Sequence, residues 1–282
     1  MRSLWTSAHG MSAMQSQLDI LGRNLANLNT TGYKTEDVKF KDMFYSALTQ
    51  KDDVQALPGR LTTAGLRIGA GVLAVGSTTS FAQGSVQTTE SPLDVAISGD
   101  GFFKIRAYDK SGQAFESYTR DGSFKVGTVG TDQYLVTADG NPVLDTNNQP
   151  IKLTGYDAAS LKIDQDGNLT ALPSSPDVGT TYENLGQLEV TRIAHPEANL
   201  AEAGGNLYRL VTGYNPQDVQ ANGTVIGGVR HSSLQQRALE MSNVDMSQQM
   251  TEMIVAQRAY SMNARALTTT DQMMGIANNL RA

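Results

Sequence analysis

Two glycine-containing stretches of the sequence have the residue types of a ligand-binding loop. GAGVLA, residues 69–74, fits the G-x-G-x-x-A spacing of a dinucleotide site, in which backbone N–H groups approach a pyrophosphate. That site needs a helix after the glycines, whereas the residues that follow are β-prone. DQDGN, residues 164–168, resembles a calcium loop, but its glycine comes two positions early and Ser175 replaces the bidentate glutamate. We therefore predict a turn and strand at the first stretch and a hairpin turn at the second.

Side chains that usually bind metals or act as nucleophiles are sparse. The chain has no cysteine, and His9, His195 and His231 are isolated from one another in the sequence. Neither the G-x-S-x-G elbow of serine hydrolases nor a P-loop occurs. We expect a protein without catalytic residues, cofactor or metal. An enzyme stays an alternative, because scattered carboxylates can meet in a fold.

Composition excludes several classes of partner. The 282 residues carry a formal net charge of −6, and no basic block is present that could replace the counterions of a nucleic acid. No apolar run approaches the ~18 residues of a membrane span, and the first residues lack the apolar core of a secretory signal. The sequence therefore predicts a protein that binds no nucleic acid, spans no membrane and, if exported, uses no cleaved signal.

Heptad spacing of apolar residues predicts one long helix at each end of the chain. Near the amino terminus, the predicted rows consist of Leu4, Met11, Leu18 and Leu25 and, three residues further on, Met14, Leu21 and Leu28. Toward the carboxyl terminus they consist of Met246, Met253, Tyr260, Leu267 and Met274, with Met250 on the second row. The other faces carry few charges, so they can pack against further helices. Pairing within one chain and packing between chains both fit this pattern.

Local signals mark the inner ends of both helices. The first helix runs into the polar segment NLANLNTTGYK, residues 24–34, and we predict that it stops near Asn29. Gly32 then allows the chain to bend by Tyr33, as glycine does after many helices. Asp245, followed three residues later by Gln248, has the spacing of a capping box. The second helix should therefore begin at about Met246.

The middle of the chain has the period of β-strands. Asp-Gly pairs, which suit tight hairpin turns, occur at residues 100–101, 121–122, 139–140 and 166–167 between short alternating runs. We predict an α+β fold in which the terminal helices pair as a coiled-coil-like core domain and the centre is all-β and antiparallel. The predicted domains are 1–30 with 243–282 for the helices, 31–76 for an extended linker or long hairpin, and 77–242 for the β-rich part.

Four blocks of the sequence resemble signatures of the bacterial flagellar rod and hook protein family. The amino-terminal signature is similar to SLWTSAHGMSAMQSQLDILGRNLANLNTTGYK, residues 3–34. The central ones are similar to SPLDVAISGDGFFKI and YTRDGSFKV, and the carboxy-terminal one to SNVDMSQQMTEMIVAQRAYSMNARALTTTDQMM. SLW and the stretch LPGRLTTAGLRIGAGV, residues 57–72, look like features of the distal-rod type, which carries an insertion there.

The resemblance implies a structural protein that is exported by the flagellar type III apparatus without a cleaved signal. Members polymerise with themselves into a hollow helical tube of the basal body, in the periplasm or cell-wall zone, and their terminal helices line its inner core. The tube acts as a drive shaft that carries torque from motor to hook, and its partners are other rod and hook proteins and bushing ring proteins. The apolar rows above would then be polymerisation residues.

Phe40 and Phe44 match the short aromatic export motif of this class of substrate. An amphipathic turn that packs into a nearby core explains these two residues equally well. Within the family, a hook or proximal-rod subunit is the alternative. Outside it, a secreted adhesin or a cell-wall hydrolase would use the β-rich middle, and a hydrolase would need paired carboxylates in a cleft.

Overall fold

The computed structural model describes residues 2–43, 45–48, 66–69, 71–109, 112–174, 181–211, 220–226 and 229–279. Long helices lie near both ends, and antiparallel strands occupy most of the middle, which confirms the predicted α+β class. The helices are α1 (Arg2–Ala26), α2 (Pro196–Asn199) and α3 (Met246–Asn279).

The strands are β1 (Glu36–Asp42), β2 (Tyr45–Leu48), β3 (Leu66–Gly69), β4 (Val72–Thr79), β5 (Val86–Thr88), β6 (Val95–Gly99), β7 (Phe102–Tyr108), β8 (Ala114–Thr119), β9 (Lys125–Val129), β10 (Asp132–Val136), β11 (Lys162–Ile163), β12 (Asn168–Ala171), β13 (Glu183–Gln187), β14 (Val190–Ile193), β15 (Leu200–Gly204), β16 (Leu207–Leu210), β17 (Gln220–Asn222), β18 (Val225–Ile226), β19 (Val229–Arg230), β20 (Ser232–Gln236) and β21 (Ala238–Glu240). Because β4 begins at Val72, directly after Gly71, a strand and not a helix comes after these glycines, as predicted.

The chain forms two compact units. The helical unit comprises Met1–Ala26, Glu36–Thr79 and Asp245–Ala282, and the β unit comprises Asn27–Thr35 and Ser80–Val244. The chain therefore passes between the units four times. The segment 31–76, taken as one linker from the sequence, divides between the units at residue 35.

In the helical unit, α1 packs against α3 and against the antiparallel pair of β1 and β4. Gly10 lies so close to α3 that an added Cβ atom would come within 3.0 Å of Asn263 Nδ2. Asp245 caps α3 as predicted, because its Oδ1 accepts from the N–H groups of Ser247 and Gln248 at 2.8 and 3.2 Å. The Gln248 side chain donates to Glu252 Oε1 at 2.9 Å, one turn further along α3, in place of the bond back to Asp245 that a capping box would have.

The β unit is built around a six-stranded antiparallel sheet in the order β15, β16, β8, β7, β14, β17. Neighbouring residues of a strand face opposite sides, so β7 contributes to two cores. Phe103 and Ile105 belong to the larger cluster of buried apolar residues, whereas Phe102 packs with Tyr118 and Tyr208. The sheet therefore buries side chains on both faces.

The Asp-Gly pairs differ in what they connect. The pair at 166–167 closes the hairpin of β11 and β12, with Gly167 at φ +89°, and this confirms the predicted turn at DQDGN. The pair at 139–140 also closes a tight turn, where the Gly140 N–H donates to the Thr137 carbonyl at 3.0 Å. The pair at 100–101 joins β6 to β7, which bond to β20 and β8 and not to each other. Likewise, 121–122 joins β8 to β9, whose partner is β10. The hairpin interpretation is wrong for these two pairs, because the turn residues fix only the local bend.

Within the described residues, no helix combines the length and apolar character needed to cross a bilayer.

Candidate assembly site

One side of α3 exposes a row of large apolar side chains, which we call the outer stripe. Val255, Met262 and Met273 are 61%, 64% and 62% exposed, and their spacings of seven and eleven residues place them on one side of a helix. Ile276 lies next to this row and is also 62% exposed. The buried residue Ala256 is on another side of α3. Large apolar side chains that recur in the open on one side of a helix are typical of a surface that contacts another protein, and here Arg258 and Arg265 stand between them on the same side.

The polar residues of α3 are also suited to burial. The hydroxyls of Thr251, Ser261 and Thr270 donate to carbonyl oxygens of the same helix, four residues earlier, at 2.8, 2.9 and 2.7 Å. These hydroxyls already have a partner, so covering them with another helix leaves no unpaired donor. The charged residues between Met246 and Met274 are Glu252, Arg258, Arg265 and Asp271. Much of the helix can therefore be desolvated at low cost.

The predicted apolar rows are only partly buried within the chain. On α1, Leu21 is buried, whereas Leu4, Met11, Met14, Leu18 and Leu25 are half-buried. On α3, Met253 and Leu267 are half-buried, whereas Met246, Met250, Tyr260 and Met274 are exposed. Leu28 is not on α1 at all, because the helix ends at Ala26, so its place in the heptad row was wrong.

The most buried face of α1 shares only Leu21 with the predicted rows. It consists of Gly10, Ala13, Ile20, Leu21 and Asn24. Two of these residues are small, and at Gly10 an added Cβ atom would crowd the Asn263 side chain of α3. The Asn24 side chain is satisfied there, since it donates to Gln249 Oε1 at 3.0 Å and to the Glu36 carbonyl at 2.9 Å. A count of large apolar residues alone could not reveal this face.

The residues of the outer stripe were not predicted from the sequence. A signal was present, because Val255 and Met262 are seven residues apart. The row from Met246 to Met274 has five apolar residues at heptad spacing, so it was chosen over this shorter pair.

The segment that follows α1 belongs to the β unit and is held by contacts within that unit. The helix ends at Ala26, three residues before the predicted Asn29, and Asn29 itself is exposed in the following turn. Gly32 has φ +67° and donates its N–H to the Glu240 carbonyl at 2.8 Å. A Cβ atom on Gly32 would lie 2.6 Å from the Asp121 nitrogen, so only glycine fits.

Two buried cations share one carboxylate behind this exit. Lys34 Nζ lies 2.6 Å from Glu240 Oε1, and Arg120 Nη1 lies 3.1 Å from Glu240 Oε2. Lys34 also donates to the Ala82 carbonyl at 2.8 Å, and Glu240 accepts from the Gly84 N–H at 2.9 Å. Burial lowers the pKa values of Lys34 and Arg120, and the Glu240 carboxylate opposes both shifts. The three side chains come from distant parts of the sequence, and their clustering was not predicted from it.

The candidate export residues are described only in part. Phe40 lies on β1 opposite Ala74 and is 41% exposed. Phe44 and residues 51–65 of the rod-type insertion lie outside the described residues. The side chain of Phe40 is therefore accessible in the folded chain, but the pair cannot be placed together.

Among the residues that the structure describes, no group of three or more His, Asp or Glu side chains is placed to share a metal ion. One groove of about 950 Å³ in the β unit contains Asp164, and Lys162 Nζ lies 4.1 Å from the centre of the Tyr182 ring beside it. A second cavity, of about 620 Å³, contains Asp100 and Glu197. We can assign neither arrangement to a reaction.

Glu189 is a buried carboxylate of the β unit, and among the described residues its oxygens accept no hydrogen bond. The Lys104 ammonium is 4.0 Å from its Oε2 but lies closer to Glu116, at 3.1 Å. Burial raises the pKa of Glu189; Lys104 opposes this shift, the Glu116 and Asp145 carboxylates add to it, and the Thr191 hydroxyl nearby opposes it without reaching the geometry of a hydrogen bond. The native state therefore holds this proton more tightly than the unfolded chain does. Its stability should fall as pH rises from the ordinary range of a glutamate through the raised native pKa.

We expect Glu189→Gln to raise the free energy of unfolding near pH 7 by about 1 kcal/mol, because it removes a buried charge without a hydrogen-bond partner. Urea unfolding between acidic and neutral pH checks this, and the fall in stability should be weaker in the variant. Glu116→Gln is the matched control, since Glu116 contacts the same ammonium from an exposed position. If Glu189→Gln makes the chain less stable than the parent near pH 7, this account is contradicted.

Three sequence families match the chain in order. The family described as "Flagella basal body rod protein" matches residues 4–34, "Flagellar hook protein FlgE/F/G D1 domain" matches 96–171, and "Flagellar basal body rod FlgEFG protein C-terminal" matches 235–280. The first covers nearly all of α1 and its exit, and the last covers Glu240 and the whole of α3.

Several relatives align over the whole chain. The flagellar basal-body rod protein FlgG of Borreliella burgdorferi is 38% identical, with 100% of this chain and 99% of the relative covered. FlgG of Bacillus subtilis is 36% identical with the same coverage. The flagellar hook-basal body complex protein FlhP of Bacillus subtilis is 34% identical, with both chains covered completely.

Proposed function

The chain belongs to the family of flagellar basal-body rod proteins, and from this membership we propose that it polymerises into the distal part of the rod. It is a structural subunit of the basal-body rod. The names of the full-length relatives favour a rod subunit over the hook subunit, and a proximal-rod subunit is the other alternative within the family. The observation that supports polymerisation most directly is the outer stripe of α3.

We propose that α3 of one subunit packs with helices of its neighbours. The outer stripe is then one contact surface. The exposed residues of the predicted row, Met246, Met250, Tyr260 and Met274, form another, where coiled-coil-like pairing can occur. Two different surfaces on one helix make heterologous contacts, and contacts of this kind generate an open helical assembly unless the rotation closes a ring.

In this proposal the polymer is a hollow tube that carries torque from the motor to the hook. The terminal helices line its channel, and the insertion at about residues 50–76 bridges neighbouring subunits and stiffens the tube. Other rod and hook proteins adjoin it end to end, and bushing ring proteins surround it. The subunit reaches this place through the flagellar type III export apparatus.

Electron microscopy of the concentrated, purified chain tests the proposal. Tubes or short rods that disappear on dilution would support self-assembly through weak, repeated contacts. If the chain stays monomeric at all concentrations, the proposal that it polymerises through its own surfaces is contradicted. The adhesin and hydrolase alternatives would then have to be considered again.

We propose Phe40 and Phe44 as a recognition motif for export. Replacing both with Ala should reduce secretion to background in cells with a functional flagellar export apparatus, because apolar recognition of a short segment depends on its aromatic anchors. Leu73→Ala with Val75→Ala is the matched control, since these residues are exposed apolar positions on the paired strand β4. Equal secretion of both variants would show that the aromatic pair has no part in export.

A further inference from the structure

The groove beside Lys162 lies on the outer face of a small sheet of the β unit. Strands β11, β12 and β13 are antiparallel neighbours in that order. Lys162 pairs with Thr170, and Thr170 pairs with Asn184, so the three side chains stand in a row on one face. Leu169, on the other face, is fully buried in the larger core. The row therefore crosses three strands, a distance of about 10 Å, along a groove of about 950 Å³.

An exposed aromatic ring and an ammonium group stand together at this row. Tyr182 is 41% exposed, and Lys162 Nζ lies 4.1 Å from the centre of its ring. The C–H face of a sugar packs well against an aromatic ring, and an ammonium beside that ring is placed to bind a carboxylate of the same sugar. The pair therefore fits a sugar that carries a carboxylate.

The polar groups of the groove include both donors and an acceptor. Asn184 Oδ1 accepts from the Gly186 N–H at 3.0 Å, and within the described part of the chain its Nδ2 donates to no other residue. The Asn168 side chain likewise makes no hydrogen bond to the residues that the structure describes. Asp164 adds carboxylate oxygens that accept. This mixture suits hydroxyl groups, which donate and accept, whereas a bare anion such as phosphate would be repelled by Asp164.

Arg237 lines the groove from a backbone conformation that arginine rarely adopts. Its φ of +57° lies in the left-handed region, which glycine adopts without strain and arginine does not. Its N–H donates to the Asp94 carbonyl and its carbonyl accepts from the Thr89 N–H, both at 2.7 Å, so the conformation is held on both sides. Arg237 is exposed and, among the described residues, forms no ion pair. Backbone strain of this kind is found at ligand sites.

We propose that this groove binds an acidic saccharide, with a sugar ring packed on Tyr182 and its carboxylates bound by Lys162 and Arg237. The side-chain amides and the carboxylate of the groove bind the hydroxyl groups. The groove is complete within one chain, so binding needs no assembly. If the chain polymerises as proposed above, every subunit repeats the groove, and a long acidic glycan gains affinity from many weak contacts; this gain alone rests on the proposed function.

Isothermal titration calorimetry of the full chain, below the concentration at which it assembles, measures the binding. The probes are tetragalacturonate, cellotetraose, which has as many rings and no carboxylate, and tetraglutamate, which has carboxylates and no sugar. We expect tetragalacturonate to bind at least about tenfold more tightly than either of the others. Its advantage over cellotetraose should shrink in concentrated salt, because the cations are exposed and screened.

Three substitutions identify the residues that bind. Lys162→Gln, Tyr182→Ala and Arg237→Gly should each weaken the binding of tetragalacturonate about tenfold. Arg237→Gly is the sharpest of them, because it relieves backbone strain: in urea the variant should be at least as stable as the parent chain, although its affinity falls. Lys125→Gln and Tyr108→Ala are the matched controls, since both residues are exposed in the same unit. They should bind as the parent does.

Tetraglutamate that binds as tightly as tetragalacturonate would overturn the proposal, because the groove would then recognise carboxylates without the sugar. No binding of tetragalacturonate by the parent chain would also overturn it. So would an unchanged affinity in all three variants, which would place the binding elsewhere on the chain. Failure of the parent chain to form rods would contradict the proposed function but not this binding, which is measured on single chains.

Discussion

Chains with Val255→Asp and Met262→Asp together are expected to remain monomeric at concentrations where the parent chain assembles. Both side chains are more than 60% exposed, so the new carboxylates stay in water in the monomer and its fold should be unaffected. In the polymer the same carboxylates would be buried against apolar neighbours, which costs several kcal/mol for each unpaired charge. The concentration needed for assembly should therefore rise at least about a thousandfold.

Sedimentation and electron microscopy measure this change, and circular dichroism checks that the helix content is kept. Val255→Leu with Met262→Leu is the matched control, because it alters the same positions and preserves their apolar character. That control should still assemble. Normal filaments from the aspartate pair would show that the outer stripe is not an assembly surface.

Removal of the Glu240 carboxylate is expected to have the largest effect on stability. Glu240→Ala leaves the ammonium of Lys34 and the guanidinium of Arg120 buried without their shared counter-charge, and both are almost inaccessible to water. Loss of one partner from a buried ion pair typically costs about 3–5 kcal/mol, and we expect the free energy of unfolding to fall by this amount. Urea unfolding followed by circular dichroism measures it.

A pH signature distinguishes this cause from a simple loss of packing. Burial already lowers the pKa of Lys34 and Glu240 opposes that shift, so the pKa should fall further in the variant. The native variant then binds this proton less tightly than the unfolded chain does. Its stability should therefore recover as pH rises from the lowered native pKa toward the ordinary lysine value of 10.5.

Glu183→Ala serves as the reference for Glu240→Ala. Glu183 is exposed and accepts a bond from the Tyr156 hydroxyl at 2.7 Å, so its loss should cost no more than about 1 kcal/mol. If Glu240→Ala behaves like this reference at every pH, the buried charges do not stabilise the unit.

The sequence predicted the parts of this fold that depend on near neighbours. Asp245 caps α3 and the helix begins at Met246, because an N-cap interacts with residues two and three positions away. The turn at Gly167 has the same local origin. By contrast, Lys34 and Glu240 are separated by 206 residues, and neither has a neighbour that marks it as buried.

The candidate assembly site was predicted in outline but not in detail. Heptad spacing indicated that helices at both ends have apolar faces. Which face turns inward was not predicted, because the close contact at Gly10 depends on how far apart the helix axes lie. The hairpin predicted at the Asp-Gly pair 100–101 was wrong for a related reason, because the pairing of a strand depends on the whole sheet and not on the turn beside it.

The late position of Glu240 also has a consequence for the order of folding. Strands β5 and β6 bond to β21 and β20, whose paired residues lie 133–154 positions further along the chain, and Gly32 bonds to Glu240 itself. These closures cannot form while the chain is still emerging from the ribosome, since their second halves do not yet exist. Contacts of such large sequence separation also form slowly. The β unit therefore lacks its final stabilising contacts until synthesis is nearly complete. Until then the edges of β5 and β6 that later pair with β21 and β20 remain exposed on the nascent chain.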